Sequence, residues 1–186
     1  MAAVLIVVAV VVLLPLGWFI AMYNRLARIR QHLRESWAGI DVELKRRYDL
    51  IPKLVQTVKG YAQHEQETLE KVIQLRNQAQ ANGGSAASQA VDESALMIGL
   101  HRLFMVVESY PQLKANENFL ALQRELSNTE DRIAATRRFF NANVREMNQL
   151  CEMFPTNIAA KMFNFQSATY FELDSEAERV VPQVNL

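Results

Sequence analysis

His64 and Glu65 stand side by side, as in the helix of a zinc protease. Such a helix sets a second histidine four residues after the first, so that both imidazoles lie on one face and share the metal. That position holds Thr68, so the pair reads as a polar surface or packing pair. Cys151 lies at helical spacing among Met147, Leu150 and Phe154 with no base placed to take its proton, and reads as a small core residue. A single thiol excludes an internal disulfide and a cysteine-built metal site. The stretch 82–90, NGGSAASQA, lacks the Gly-Lys-Ser/Thr ending of a phosphate-binding loop. Carboxylate pairs occur without a pattern that sets up acid–base chemistry. No catalytic, metal-binding or cofactor-binding residue is predicted, and the expectation is a protein that is not an enzyme.

The charged residues point to contacts instead. Asp41, Lys45, Arg46, Arg47 and Asp49 crowd one stretch, with Asp41 and Lys45 in the favourable acid-first order four apart. They read as a solvated face, a docking surface, or an interhelical network with Glu125, Glu130, Arg137 and Asn141; those flanking the apolar stripe would be partly buried and need partners. Arg25, Arg28, Arg30 and Arg34 suit anionic lipid headgroups at about 1 kcal/mol each. The formal net charge is zero, and aromatic and basic residues do not interleave, so nucleic acid is not an expected partner. Between Arg25 and Arg76 there are eleven basic and seven acidic side chains, and beyond Arg76 nine and thirteen. Surfaces of opposite sign can pair within a bundle or between copies, so a homo-oligomer is expected.

The elements that carry these residues are helical. Half of the 186 residues are hydrophobic, and no alternating strand pattern appears. Residues 2–24 form an apolar run about 34 Å long as a helix, against a hydrocarbon core of about 30 Å. Trp18 and Tyr23 stand near its end, where amphipathic rings favour headgroups. A cleaved signal peptide would want a basic start, a shorter run and small residues at its end, so an anchor is expected. The arginines after the run predict an outside N-terminus and a cytoplasmic C-terminal domain.

Leu26, Ile29, Leu33, Trp37, Ile40, Leu44, Tyr48 and Ile51 continue as one helical face. Pro52 predicts a kink or a restart there, with Asp49 as cap and a second helix reaching about Asn82. The stretch 82–90 predicts a flexible loop. A third helix is expected over about 91–109, with Leu96, Ile98, Leu100 and Leu103 facing inward, and a fourth over about 118–154, stopped by Pro155. A short helix near 156–164 follows, then a tail anchored at Tyr170 and Phe171. The expected organisation is a transmembrane helix at 2–24, a soluble bundle at 25–165 and a tail at 166–186. The fold class is all-α: the transmembrane helix continues into an antiparallel helical bundle of about four long helices.

The stretch from Trp37 to Glu70, WAGIDVELKRRYDLIPKLVQTVKGYAQHEQETLE, resembles the LemA family of bacterial membrane proteins. The resemblance extends to Tyr23-Asn24, YPQLKAN at 110–116, FLALQRELSNTE at 119–130, and on to Arg137, Asn141, Asn148, Phe154-Pro155, Phe165 and Phe171. Lys53 and Phe140 depart from residues common in the family. The resemblance implies a single-pass protein of the bacterial inner membrane with no established activity. It also implies association with membrane proteolysis, a membrane metalloprotease among the partners, and a relative in magnetosome membranes. The expected role is a self-assembling membrane-anchored scaffold or adaptor, with a lipid- or small-ligand-binding bundle as one alternative and an enzyme of unknown type as the other.

Overall fold

The computed structural model describes residues 1–173; the acidic end of the predicted tail, with Pro182, lies outside the described residues. Among the described residues six helices follow in order: α1 (Ala2–Lys59), α2 (Gln66–Ala81), α3 (Ala86–Glu108), α4 (Pro111–Lys114), α5 (Glu117–Glu152) and α6 (Thr156–Met162). Among the described residues there is no strand, so the all-α class stands.

Of the two outcomes expected at Pro52, the restart does not occur: α1 runs through it to Lys59, and the break comes at residues 60–65. Proline has no N–H, so the carbonyl four residues earlier, that of Tyr48, loses its helical donor. Arg76 from α2 replaces that donor, its Nε donating to the Tyr48 carbonyl at 3.0 Å.

The loop expected over 82–90 is shorter. Ser85 caps α3, accepting from the Ser88 N–H at 3.2 Å, while Asn82 Oδ1 accepts from the Gly84 N–H at 2.8 Å. Alanine is a strong helix former, and Ala86, Gln89 and Ala90 are buried on the first turns of α3. Small residues there serve close packing. At Gly99, an added Cβ would come within 2.7 Å of Leu75 Cδ1, so α2 and α3 approach closely.

The described chain divides into two compact units. One comprises residues 1–37 and 139–168. The first part of α1 is apolar and long enough to cross a membrane, with none of that stretch buried. Past it, Leu26 and Ile29 join Met147, Leu150, Ala159, Ala160 and Phe165 in one core. Arg25 pairs with Glu146 at 3.1 Å, and Trp37 meets Phe140 with ring centroids 5.3 Å apart, so α1 and α5 run antiparallel here.

The other unit comprises residues 38–138 with the chain from Thr169. Ile40, Leu44, Ile51, Leu54 and Val58 of α1 are buried with Leu69 and Val72 of α2, Leu96, Leu100 and Leu103 of α3, and Leu126 and Ile133 of α5. Phe171 is fully buried here, as expected of the start of the tail.

Candidate functional site

The second unit holds a set of polar side chains in its interior. Arg47 on α1 and Glu93 on α3 are wholly buried, and Glu130 on α5 nearly so. Their positions follow from helical periodicity: Arg47 sits one residue before Tyr48 on the inward stripe of α1, and Glu93 shares a face with Gln89, Leu96 and Leu100. Arg47 Nη1 donates to both Glu130 oxygens at 3.0 Å and reaches Met97 Sδ at 3.3 Å, while Nη2 donates to Glu93. The Tyr48 hydroxyl donates to Glu93, and Gln89 Nε2 donates to Glu93 Oε1 at 2.8 Å and to the Ala79 carbonyl at 3.0 Å.

One cation between two carboxylates is a closed arrangement. Burial alone would push the Arg47 guanidinium down, but the charges of Glu130 and Glu93 outweigh it and hold it above its ordinary value. Burial pushes the Tyr48 phenol up, and the charge of Glu93 pushes it further. All the donors are spent on partners within the unit except Arg47 Nε, which has none among the described residues. Three long helices are thereby locked in register by groups too costly to bury alone.

Asp41, Lys45, Arg46 and Asp49 are exposed. Arg46 reaches Glu43 at 3.2 Å; Glu43 also accepts from Arg132 at 3.1 Å, and Arg132 extends to Glu125 at 3.1 Å. Arg137 and Asn141 are half-buried. The structure therefore brings together Arg47 with Glu130, and links Arg46 to Glu125 through Glu43 and Arg132. Sequence reasoning missed Glu93, Gln89, Glu43 and Arg132; the signal for Glu93 was an acidic residue on the apolar stripe of α3. In the other unit, Arg25 is paired with Glu146, the Arg30 guanidinium lies 4.8 Å from the Phe165 ring centroid, and Arg28 and Arg34 are exposed.

His64 is exposed in the turn after α1, and Glu65 accepts from the Tyr110 hydroxyl at 3.4 Å. Cys151 is half-buried; burial, and then Glu152, push its thiol up. That keeps it protonated.

The outer face of α3 differs from the rest of the bundle. Val91, Ile98 and Met105, spaced by seven, are all exposed, at 69%, 36% and 54%. Ile98 therefore points outward, against expectation: the inward face of α3 is already filled by Glu93, Leu96, Met97 and Leu100. Beside this stripe, α2 and α3 enclose an open groove of about 420 Å3, with Val72, Leu75 and Gly99 at its floor and Glu67, Lys71 and Arg102 at its rim.

The family model for the LemA family matches residues 36–186, most of this chain. The chain belongs to the LemA family. Protein LemA of Metamycoplasma hominis is 30% identical over 172 residues, covering 90% of this chain and 78% of that relative. Magnetosome protein MamQ of Magnetospirillum gryphiswaldense is 23% identical over 80% of this chain, and Magnetosome protein MamQ 2 of Paramagnetospirillum magneticum 24% identical over 81%. Each of those two alignments spans 64% of the magnetosome protein's length. The LemA match begins at Ser36, past the apolar stretch, and takes in Arg47, Glu93 and Glu130.

Proposed function

We propose that the chain is a membrane-anchored scaffold that self-assembles through the outer face of α3 and carries no catalytic activity. The observation that carries this reading is the stripe of Val91, Ile98 and Met105, exposed on a helix whose opposite face is already buried. A helix apolar on both sides calls for cover on both. A seven-residue repeat matches its own repeat in register, as in helical pairs, so a second copy of the chain fits it residue for residue. The buried Arg47 network supports the reading differently: it stiffens the bundle that presents the stripe.

In this reading the anchor lies in the bacterial inner membrane with the N-terminus outside, and Arg25, Arg28, Arg30 and Arg34 after the apolar run favour that orientation. The test is disulfide trapping in native membranes. In a Cys151→Ser background, cysteine at position 91, 98 or 105 should give a linked dimer, and cysteine at the exposed position 80 should not. Monomer at all three positions, with a monomeric particle in native electrophoresis, would rule out self-assembly. A link to a different membrane protein, a metalloprotease among the candidates, would replace self-assembly with an adaptor role.

The groove beside the stripe favours a second reading, a small apolar ligand or lipid held between α2 and α3. Native mass spectrometry after gentle extraction separates the two, since a ligand-free mass excludes a tightly held lipid.

A further inference from the structure

We infer that α6 and the turn before it form a second membrane contact, a reentrant apolar knob inserted into the bilayer interface beside the end of the span. The inference rests on the reading that the first part of α1 crosses the bilayer.

Met153, Phe154, Ile158, Met162 and Phe163 are all exposed, Phe154 at 79%. Ile158 and Met162 are four apart on α6, opposite Ala159 and Ala160, which are buried. A water-facing surface rarely groups five large apolar side chains in eleven residues. From Met153 to Phe171 the one charged side chain is Lys161, a cation whose long stem suits a phosphate level above buried carbon.

The height of this knob follows from its contacts within its own unit. Trp18, Phe19 and Met22 pack against the core that contains Ala159 and Ala160. Tyr23 meets Phe163 at 4.9 Å and Phe165 at 6.0 Å between ring centroids. The first charged side chain of α1 is Arg25. Trp18 lies about 10 Å further toward the lipid along the helix, which exceeds the roughly 6 Å thickness of one headgroup layer. A segment packed at that level meets acyl chains, and interfacial helices bury their apolar faces about 5–10 Å deep. The path out of α6 holds the knob in place: Asn164, at φ 55°, ends the helix in the left-handed conformation, and the Phe165 N–H donates to the Ala160 carbonyl at 2.9 Å. Phe165 is thereby turned inward.

The occupant is therefore lipid of the bilayer that holds α1. Full-length protein in a Cys151→Ser background, carrying Phe154→Cys, Ile158→Cys or Met162→Cys, is spin-labelled and reconstituted into phosphatidylcholine–phosphatidylglycerol vesicles. Val8→Cys marks the span and Gln80→Cys marks water. Labels at 154, 158 and 162 should collide several-fold more often with oxygen than with a nickel chelate, as at 8, with the order reversed at 80. If they match position 80 while position 8 stays oxygen-accessible, the knob is wrong and the anchor stands. If position 8 is also nickel-accessible, the anchor reading itself fails and takes the knob with it. Shielding from both reagents means a protein cover and overturns the proposal. Unsubstituted protein gives a second readout: a photoactivatable phospholipid should label the peptide spanning 153–163, and absence of label there beside a labelled span also overturns it.

Discussion

Arg47 is a cation held in the interior by two acids, so the cost of removing it depends on what stays behind. Arg47→Met leaves Glu93 and Glu130 buried beside each other without a counter-charge, and should lose about 3–5 kcal/mol. Glu93→Gln leaves a neutral Arg47–Glu130 pair and an amide in place of the carboxylate, and should lose clearly less. Urea denaturation of the full-length protein in detergent, followed by circular dichroism, measures both, and equal losses would argue against a charge-based lock. Tyr48 adds a pH dependence. Its phenol is held above its ordinary value of 10.0 by burial and by Glu93, so the fold favours the protonated form. The stability from this group is intact below about pH 10 and drains away as pH rises beyond it. The thermal midpoint should fall above that pH more steeply in the native protein than in Tyr48→Phe.

At the scale of elements, α1 depends on a donor it does not own. The Tyr48 carbonyl, left open by Pro52, is held by Arg76 of α2. Arg76→Met should cost about 1.5–3 kcal/mol, the range for hydrogen bonds to charged groups. Pro52→Ala restores an N–H to that carbonyl, so the Arg76→Met penalty should shrink in the Pro52→Ala background. A double-mutant cycle on chemical denaturation measures that coupling, and additive penalties would show that Arg76 acts elsewhere. The same logic explains why the proline does not end the helix. A lost backbone bond is tolerated where a neighbouring element supplies the missing partner, and nothing around position 52 in the sequence reveals that Arg76 does so.

For the whole molecule, the anchor reading rests first on the apolar stretch at the start of α1. An arginine near the middle of a span costs about 2.5–3.5 kcal/mol on insertion scales. Val8→Arg combined with Val12→Arg should move the protein from the carbonate-resistant membrane pellet to the soluble fraction, while either substitution alone should leave most of it in the pellet. Full retention of the double variant would mean that contacts outside the first part of α1, such as the α6 knob, hold the protein to the bilayer.

Composition and periodicity by themselves determined the all-helical class, the apolar N-terminal stretch and the inward stripe of α1, because these depend on which residues recur at helical spacing; the family was legible from the resemblance of whole stretches such as Trp37 to Glu70. The tertiary structure decided the rest. Arg47 stood out in a dense charged stretch and Glu130 as a candidate partner for it, but their burial depended on Glu93, forty-six residues from Arg47, arriving on a different helix. The passage of α1 through Pro52 depended on Arg76, and the start of α3 inside an apparent loop depended on a buried place for Gln89. The outward turn of Ile98 followed from an inner face already full. Each is a matter of partners distant in the chain, and a helical period specifies which face a residue is on without specifying what that face will meet.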